Sequence, residues 1–149
     1  MADQNPPSRT SLGGHPIHPM LVPIPITCFI GAFLTDLTYW RTADMQWANF
    51  SVWLITAGLV GGALAAIAGL TDLLGSRQVR ARKTAWFHGA GNGLAMLLSL
   101  FNVFIHSRDA YTSVVPTGLI LSGLVSLILL VTGWLGGELV FRHRVAVSN

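Results

Sequence analysis

Four long apolar stretches, joined by short polar links, constrain the fold of this chain more than any other feature. A helix that crosses a bilayer needs about 20 mostly apolar residues, and each stretch is at least that long. The predicted spans run from Met20 to Trp40, from Trp47 to Leu74, from Trp86 to His106 and from Val115 to Phe141. Because the links are short, neighbouring helices are expected to be antiparallel. The sequence therefore predicts an all-α, up-down four-helix transmembrane bundle.

The composition agrees with this interpretation. Of the 149 residues, 52% are hydrophobic and only 10% are charged, whereas a soluble domain usually carries about 25% charged residues. The basic residues cluster near span ends, which is typical of membrane orientation, so the lipid bilayer is an expected partner and nucleic acid is not. Cys28 is the single cysteine, which excludes an internal disulfide and a covalently attached c-type haem.

The basic residues also predict the orientation. The link between the second and third spans, "GSRQVRARK", holds four of them, and the C-terminal end adds Arg142 and Arg144. The two opposite links hold only Arg41 and Arg108. The positive-inside rule then places both termini in the cytoplasm. The expected organisation is a flexible N-terminal tail (1–14), a four-helix transmembrane domain (15–144) and a C-terminal tail (145–149).

Polar residues are predicted to gather at the cytoplasmic end of the bundle, where every helix contributes at least one titratable group. These are His15, His18, Asp72, His88, Glu138 and His143, with Asn92 one turn deeper. The opposite end receives a sparser set, which consists of Asp36, Asp44, His106 and Asp109. On span three, the polar residues fall on one helical face: they are His88, Asn92, Ser99, Asn102 and His106. Polar groups within a span face the bundle interior, so this face should point inward.

Four motifs resemble the domain-of-unknown-function 2231 family of bacterial membrane proteins. They are "HPIHPMLVPIPI", "GLTDLLG", "AWFHGAGN" and "GWLGGELVFRHRV", and the resemblance covers nearly the whole chain beyond the N-terminal tail. It implies a multi-pass protein of the bacterial inner membrane. In some relatives the domain is fused to Rieske iron–sulfur or c-type cytochrome modules, which implies a role near electron transfer.

The first functional hypothesis is a b-type haem that carries electrons between a quinone or membrane dehydrogenase and a partner protein. Spans one and three can lie diagonally in the bundle, so His18 and His88 would face each other as axial ligands. The haem propionates are predicted to bind His15 or His143 and Arg80 or Arg82. The second ring nitrogen of a ligand histidine is predicted to bind Asn92 or Asp72.

The second hypothesis is a single divalent ion, Zn²⁺, Fe²⁺ or Mn²⁺, held by one ligand from each helix. The predicted metal ligands are His18, Asp72, His88 and Glu138. A mixture of histidine and carboxylate suits these metals, and haem ligation would not need the two carboxylates. The implied redox fusions favour haem, whereas Asp72 and Glu138 favour the metal.

A third hypothesis is a structural or transport protein without a cofactor. The polar face of span three extends from His88 to His106, and chains of polar groups inside a bundle can relay protons. The sequence gives no internal repeat or broken helix, which argues against a transporter. No second histidine lies at the depth of His106, so a second haem there is not expected. The glycine-rich face of span two could serve a homo-oligomer as well as the bundle.

Overall fold

The computed structural model describes residue 6, residues 8–108 and residues 114–147. A short β-hairpin leads into the helices, and its strands β1 (Ser11–Leu12) and β2 (His15–Pro16) have two residues each. Gly13 and Gly14 form its turn, and both have positive φ angles, 58° and 83°, which a two-residue hairpin loop requires. The hairpin ends directly before the helix that carries His18.

Four long helical segments follow. The first consists of α1 (Ile17–Leu21) and α2 (Pro23–Thr42), the second is α3 (Met45–Gly75), and the third is α5 (Lys83–His106), which the short α4 (Arg77–Arg80) precedes. The fourth contains a lead-in segment (Val114–Gly118), α6 (Leu119–Gly137) and a π-helical turn (Glu138–Arg142). All four are long and apolar enough to span a membrane. The predicted four-helix fold is therefore confirmed.

Local sequence explains where these helices begin and end. Pro23 occupies the first turn of α2, where its missing N–H costs no hydrogen bond. Ala43, with φ 54°, ends α2, and the Asp44 side chain caps α3 by accepting a hydrogen bond from the Gln46 N–H at 2.9 Å. The Ser76 side chain caps α4 in the same way, with the Val79 N–H as donor.

The helices form a square in cross-section. α2 packs against α3, α3 against α5, α5 against α6 and α6 against α2, so α2 and α5 lie on one diagonal. Both ends of the described chain lie at one end of the bundle, where the Ala146 N–H donates to the Pro6 carbonyl at 2.9 Å. We name this the terminal end, and the opposite end, where Ala43 and Asp44 join α2 to α3, the loop end. Which end faces the cytoplasm stays a prediction.

The core is made of small and apolar residues from all four helices. Its centre comprises Phe29, Ala32, Ile55, Ala95, Val125 and Leu129. Glycines on α3 bring the helices close: a Cβ at Gly58 would lie 2.6 Å from the Phe29 ring, and one at Gly62 would lie 2.5 Å from the Met96 sulfur. In lipid, such small residues allow the close backbone approach that holds helices together. A smaller cluster at the terminal end comprises Leu73, Val79, Ala85 and Leu139.

The two helix hairpins repeat the same pattern of burial. On α2 the buried residues are Pro25, Phe29, Ala32 and Asp36, and on α5 the residues 70 positions later are buried, namely Ala95, Ser99, Asn102 and His106. On α3 and α6 the equivalent pairs are 67 residues apart: Ile55 with Ser122, Gly58 with Val125, and Ala65 with Thr132.

The equivalences indicate an approximate two-fold axis parallel to the helices, as in parallel repeats of membrane proteins. Most of these buried positions carry different amino acids, so the repeat is seen mainly in burial and little in sequence identity.

Candidate functional site

His18 and His88 meet at the terminal end, across the diagonal of the bundle. Their ring centres are 6.2 Å apart, and the ring planes are nearly perpendicular, at 88°. Both side chains are partly buried. The two rings come from different hairpins, His18 from the first and His88 from the second, so they face each other near the two-fold axis.

Each of these histidines is held in the same way by the second helix of its own hairpin. The His18 Nδ1–H donates to the Ala65 carbonyl at 2.7 Å, and the His88 Nδ1–H donates to the Thr132 carbonyl at 2.8 Å. A carbonyl oxygen can only accept, so Nδ1 carries the proton in both rings and Nε2 keeps its lone pair when the ring is neutral.

A glycine one turn beyond each carbonyl makes room for the ring. A Cβ at Gly69 would lie 2.8 Å from His18 Nδ1, and a Cβ at Gly136 would lie 3.0 Å from His88 Cε1. The contact therefore has the same form in both hairpins: a carbonyl oxygen, a glycine four residues later, and an imidazole ring against both.

Asn92 lies beside His88 and also contacts α6. Its Nδ2 donates to the His88 carbonyl at 2.8 Å and lies 3.4 Å from both ring nitrogens of His88. Its Oδ1 accepts from the Thr132 hydroxyl at 3.2 Å. Asn92 therefore connects His88 to the helix segment that supplies the carbonyl for the His88 ring.

The other predicted site residues are exposed or have other partners. His15 is exposed in β2. His143 Nδ1 accepts from Arg82 at 2.8 Å, and its Nε2 lies 3.9 Å from Glu138. Glu138 also accepts from Arg142 at 3.1 Å.

Asp72 binds the segment before β1. Its carboxylate accepts from the Ser8 hydroxyl at 2.8 Å, from the Arg9 N–H at 2.6 Å, and from the Thr10 N–H and hydroxyl at 3.2 and 3.3 Å. The stretch predicted as a flexible N-terminal tail thus includes residues that lie against α3. Across residues 6, 8–108 and 114–147, no three side chains of His, Cys, Asp or Glu converge as a metal site would need.

The structure also contains a polar cluster at the loop end that the sequence analysis did not assemble. His106 Nε2 lies 2.8 Å from Asp36 Oδ1, and both side chains are fully buried. The Ser122 hydroxyl donates to Asp36 Oδ2 at 2.5 Å, and Asn102 Nδ2 donates to the Ser122 hydroxyl at 2.8 Å. Asp109, which was grouped with these residues, lies outside the described part of the chain.

One signal in the sequence would have found this cluster. His18 and Asp36 are separated by 18 residues, and so are His88 and His106. Eighteen residues make about five helical turns, so each helix places its two polar residues on one face at opposite ends. Two helices on a diagonal therefore pair these residues at both ends. The prediction that the polar face of span three points inward is confirmed for Ser99, Asn102 and His106, which are buried.

Comparison with known proteins identifies a family. The model of the DUF2231 family, described as predicted membrane proteins, matches residues 14–149. No curated protein and no solved structure gives a significant match to the chain.

Proposed function

The chain belongs to the DUF2231 family of predicted membrane proteins, and we propose that it binds a b-type haem between His18 and His88 and carries electrons within the membrane. The observation that carries this proposal is the paired arrangement of the two rings. Both Nδ1–H groups are bound to backbone carbonyls, so in each ring Nε2 is the nitrogen that an iron ion could bind. Asn92 Nδ2 lies 3.4 Å from Nε2 of His88. Ligand histidines in proteins are usually oriented by such a bond from their other nitrogen.

The two rings lie close enough for His18 and His88 to hold one group together, since their centres are 6.2 Å apart. Because the rings come from different hairpins, a group that both of them hold lies between the hairpins. Haem iron with two histidine ligands supplies one-electron transfer.

The protein's own residues set the position of the two ligands. Ala65 and Thr132 fix the tautomers through their carbonyls, and Gly69 and Gly136 let the rings lie against α3 and α6. Asn92 holds Thr132 next to His88. Arg82 binds His143 at the same end of the bundle and is a candidate to pair with an acidic group such as a propionate.

The arrangement favours haem over the alternative divalent metal site. A zinc site needs three or four protein ligands, whereas haem needs two axial ligands. Asp72 is bound to residues 8–10, and Glu138 to Arg142 and His143. Both carboxylates therefore have hydrogen-bond or ion-pair partners of their own.

The terminal end faces the cytoplasm of a bacterial inner membrane, because exposed basic residues gather there; they include Arg77, Arg80, Lys83, Arg142 and Arg144. The partner is a quinone or a membrane redox protein.

The test is an absorption spectrum of the detergent-purified protein, oxidised and then reduced with dithionite, with metals counted on the same sample. We expect a Soret band that shifts on reduction and about one iron per chain. His18→Ala and His88→Ala should each abolish the band, whereas the exposed His15→Ala and the carboxylate variant Asp72→Asn should keep it. One zinc, iron or manganese per chain without a Soret band would favour the metal site. A folded, colourless and metal-free protein would overturn both proposals.

A further inference from the structure

The cluster at the loop end contains two ionisable groups with no exposed surface, Asp36 and His106. Such groups inside a membrane-spanning segment are costly and usually functional. Stability alone does not explain them, because replacing a buried ion pair by well-packed apolar residues is often neutral or stabilising. The cluster lies about 27 Å along the helix from the His18–His88 pair. What that pair binds therefore does not decide where the protons of Asp36 and His106 lie.

Hydrogen bonds fix the tautomer of His106. Its Nδ1 lies 3.0 Å from the Asn102 carbonyl, one turn earlier on α5. Since a carbonyl can only accept, Nδ1 carries a proton. The opposite nitrogen, Nε2, lies 2.8 Å from Asp36 Oδ1, and a contact of that length between two lone pairs would be repulsive. A second proton must therefore lie between Nε2 and Oδ1.

The second proton is not on the other oxygen of Asp36, Oδ2, because Ser122 and Asn102 make that oxygen a hydrogen-bond acceptor. Asn102 Nδ2 donates to the Ser122 oxygen, so the single hydroxyl hydrogen of Ser122 is free to point to Asp36 Oδ2. Oδ2 therefore accepts and is not itself protonated. The second proton is shared by Nε2 and Oδ1, either as Asp⁻ with imidazolium or as a carboxylic acid with neutral imidazole. Both forms have zero net charge.

The alternative with one proton fewer would bury a net negative charge. It would leave Asp36 ionised beside a neutral ring. The buried residues that the structure describes near the loop end of the neighbouring segments are Ala48, Ser51 and Ile55 from α3, Val114 and Gly118 from the lead-in segment, and Ser122 from α6, and none of them is titratable.

One further buried polar atom belongs to this cluster. Asn102 is only 2% exposed. Its buried Oδ1 has no hydrogen-bond partner among the described residues. It lies against Gly118, where a Cβ would be 3.4 Å from Oδ1 and 2.7 Å from His106 Cε1. Gly118 thus allows the lead-in segment to cover both residues. The unpaired acceptor lies beside the proton-bearing pair.

We propose that Asp36 and His106 form a buried proton-binding site at the loop end, in which Ser122 and Asn102 are positioning residues. The site holds one proton between Nε2 and Oδ1 in addition to the proton on Nδ1.

The test uses the full chain in lipid nanodiscs at pH 7.5, with ¹⁵N-labelled histidine side chains read by NMR and carboxyl groups read by infrared spectroscopy. Two results support the site: both nitrogens of His106 are protonated, or Nδ1 alone is protonated together with a carboxylic acid band. Asp36→Asn should remove that second proton, because the amide that replaces the carboxylate can donate its own N–H to a neutral His106. Asp44→Asn, which changes an exposed carboxylate at the same end, should leave both signals unchanged.

One protonated nitrogen on His106 without a carboxylic acid band would overturn the proposal, because the pair would then hold one proton fewer. A metal ion that is bound to the wild type and lost in Asp36→Asn would also overturn it, in favour of a cation site. The wild-type spectra alone give the proton count, so the test does not depend on the folding of a variant.

Discussion

His106 and Asp36 face each other across the diagonal of the bundle, with Nε2 2.8 Å from Oδ1 and no exposed surface on either side chain. They are 70 residues apart, which is also the separation of His18 and His88. The same diagonal thus carries a polar pair at each end, and the apolar residues Phe29, Ala95 and Leu129 lie between the two pairs. The bundle therefore has two chemically separate ends.

Removing the carboxylate of Asp36 should destabilise the fold strongly. Asp36→Ala leaves His106 and Ser122 buried without their partner, and breaking a buried pair in this way costs about 3–5 kcal/mol. Asp36→Asn keeps a donor and an acceptor in place and should cost about 1 kcal/mol, the value of one neutral hydrogen bond. The free energy of unfolding in mixed detergent measures both. Equal losses for the two variants would contradict the hydrogen-bond scheme.

Adding a methyl group at Gly69 should displace the His18 ring. A Cβ there would lie 2.8 Å from Nδ1, so the ring must move away from the Ala65 carbonyl, and overpacking of this kind costs about 1–3 kcal/mol. Gly69→Ala should therefore lower both the unfolding free energy and the haem content that we propose. Gly133→Ala is the matched control, because a Cβ at this position meets no atom within 4 Å. A loss with Gly133→Ala of the same size would disprove the role of the glycine contact.

Asp72 should hold the segment before β1 and should not affect the cofactor. In Asp72→Ala the Arg9 and Thr10 amides lose a carboxylate acceptor, and hydrogen bonds to charged groups are worth about 1.5–3 kcal/mol. Their hydrogen exchange should accelerate about tenfold or more, as measured by mass spectrometry of the N-terminal peptide. Asp44→Ala, at the other end, should leave that peptide unchanged. A loss of bound metal in Asp72→Ala would instead support a metal site with this carboxylate.

The terminal end should be cytoplasmic. Gln46 and Arg77 are exposed at opposite ends of the bundle, so single cysteines can be placed there after Cys28 is replaced by alanine. In intact spheroplasts a membrane-impermeant maleimide should label Gln46→Cys, and Arg77→Cys should react only after lysis. The reverse pattern would show that the basic residues do not set the orientation.

The fold could be predicted from the sequence because the bilayer imposes a simple rule on length and polarity. The predicted spans begin and end within three residues of the helical segments in the structure. The diagonal position of His18 and His88 also followed from the order of four antiparallel helices.

The hydrogen-bond partners in the site could not be predicted, because several of them are backbone atoms. The carbonyls of Ala65, Thr132 and Asn102 orient three histidines, and a carbonyl leaves no mark on the sequence. Asp72 was predicted beside the histidines because it has the right depth, but depth does not give the direction in which a helix face points. The partner of Asp36 could not be predicted for the same reason, because it lies 70 residues away and depth alone does not show that the two side chains face each other.

The approximate two-fold axis explains why the two ends of the diagonal differ in character. In a dimer of identical hairpins, a residue on the axis can meet only its own copy. Joining the hairpins in one chain removes that restriction, and this protein shows both outcomes. His18 and His88 are identical, which suits a ligand that offers the same face to each side. Asp36 and His106 are complementary, which breaks the symmetry and gives the loop end a donor side and an acceptor side.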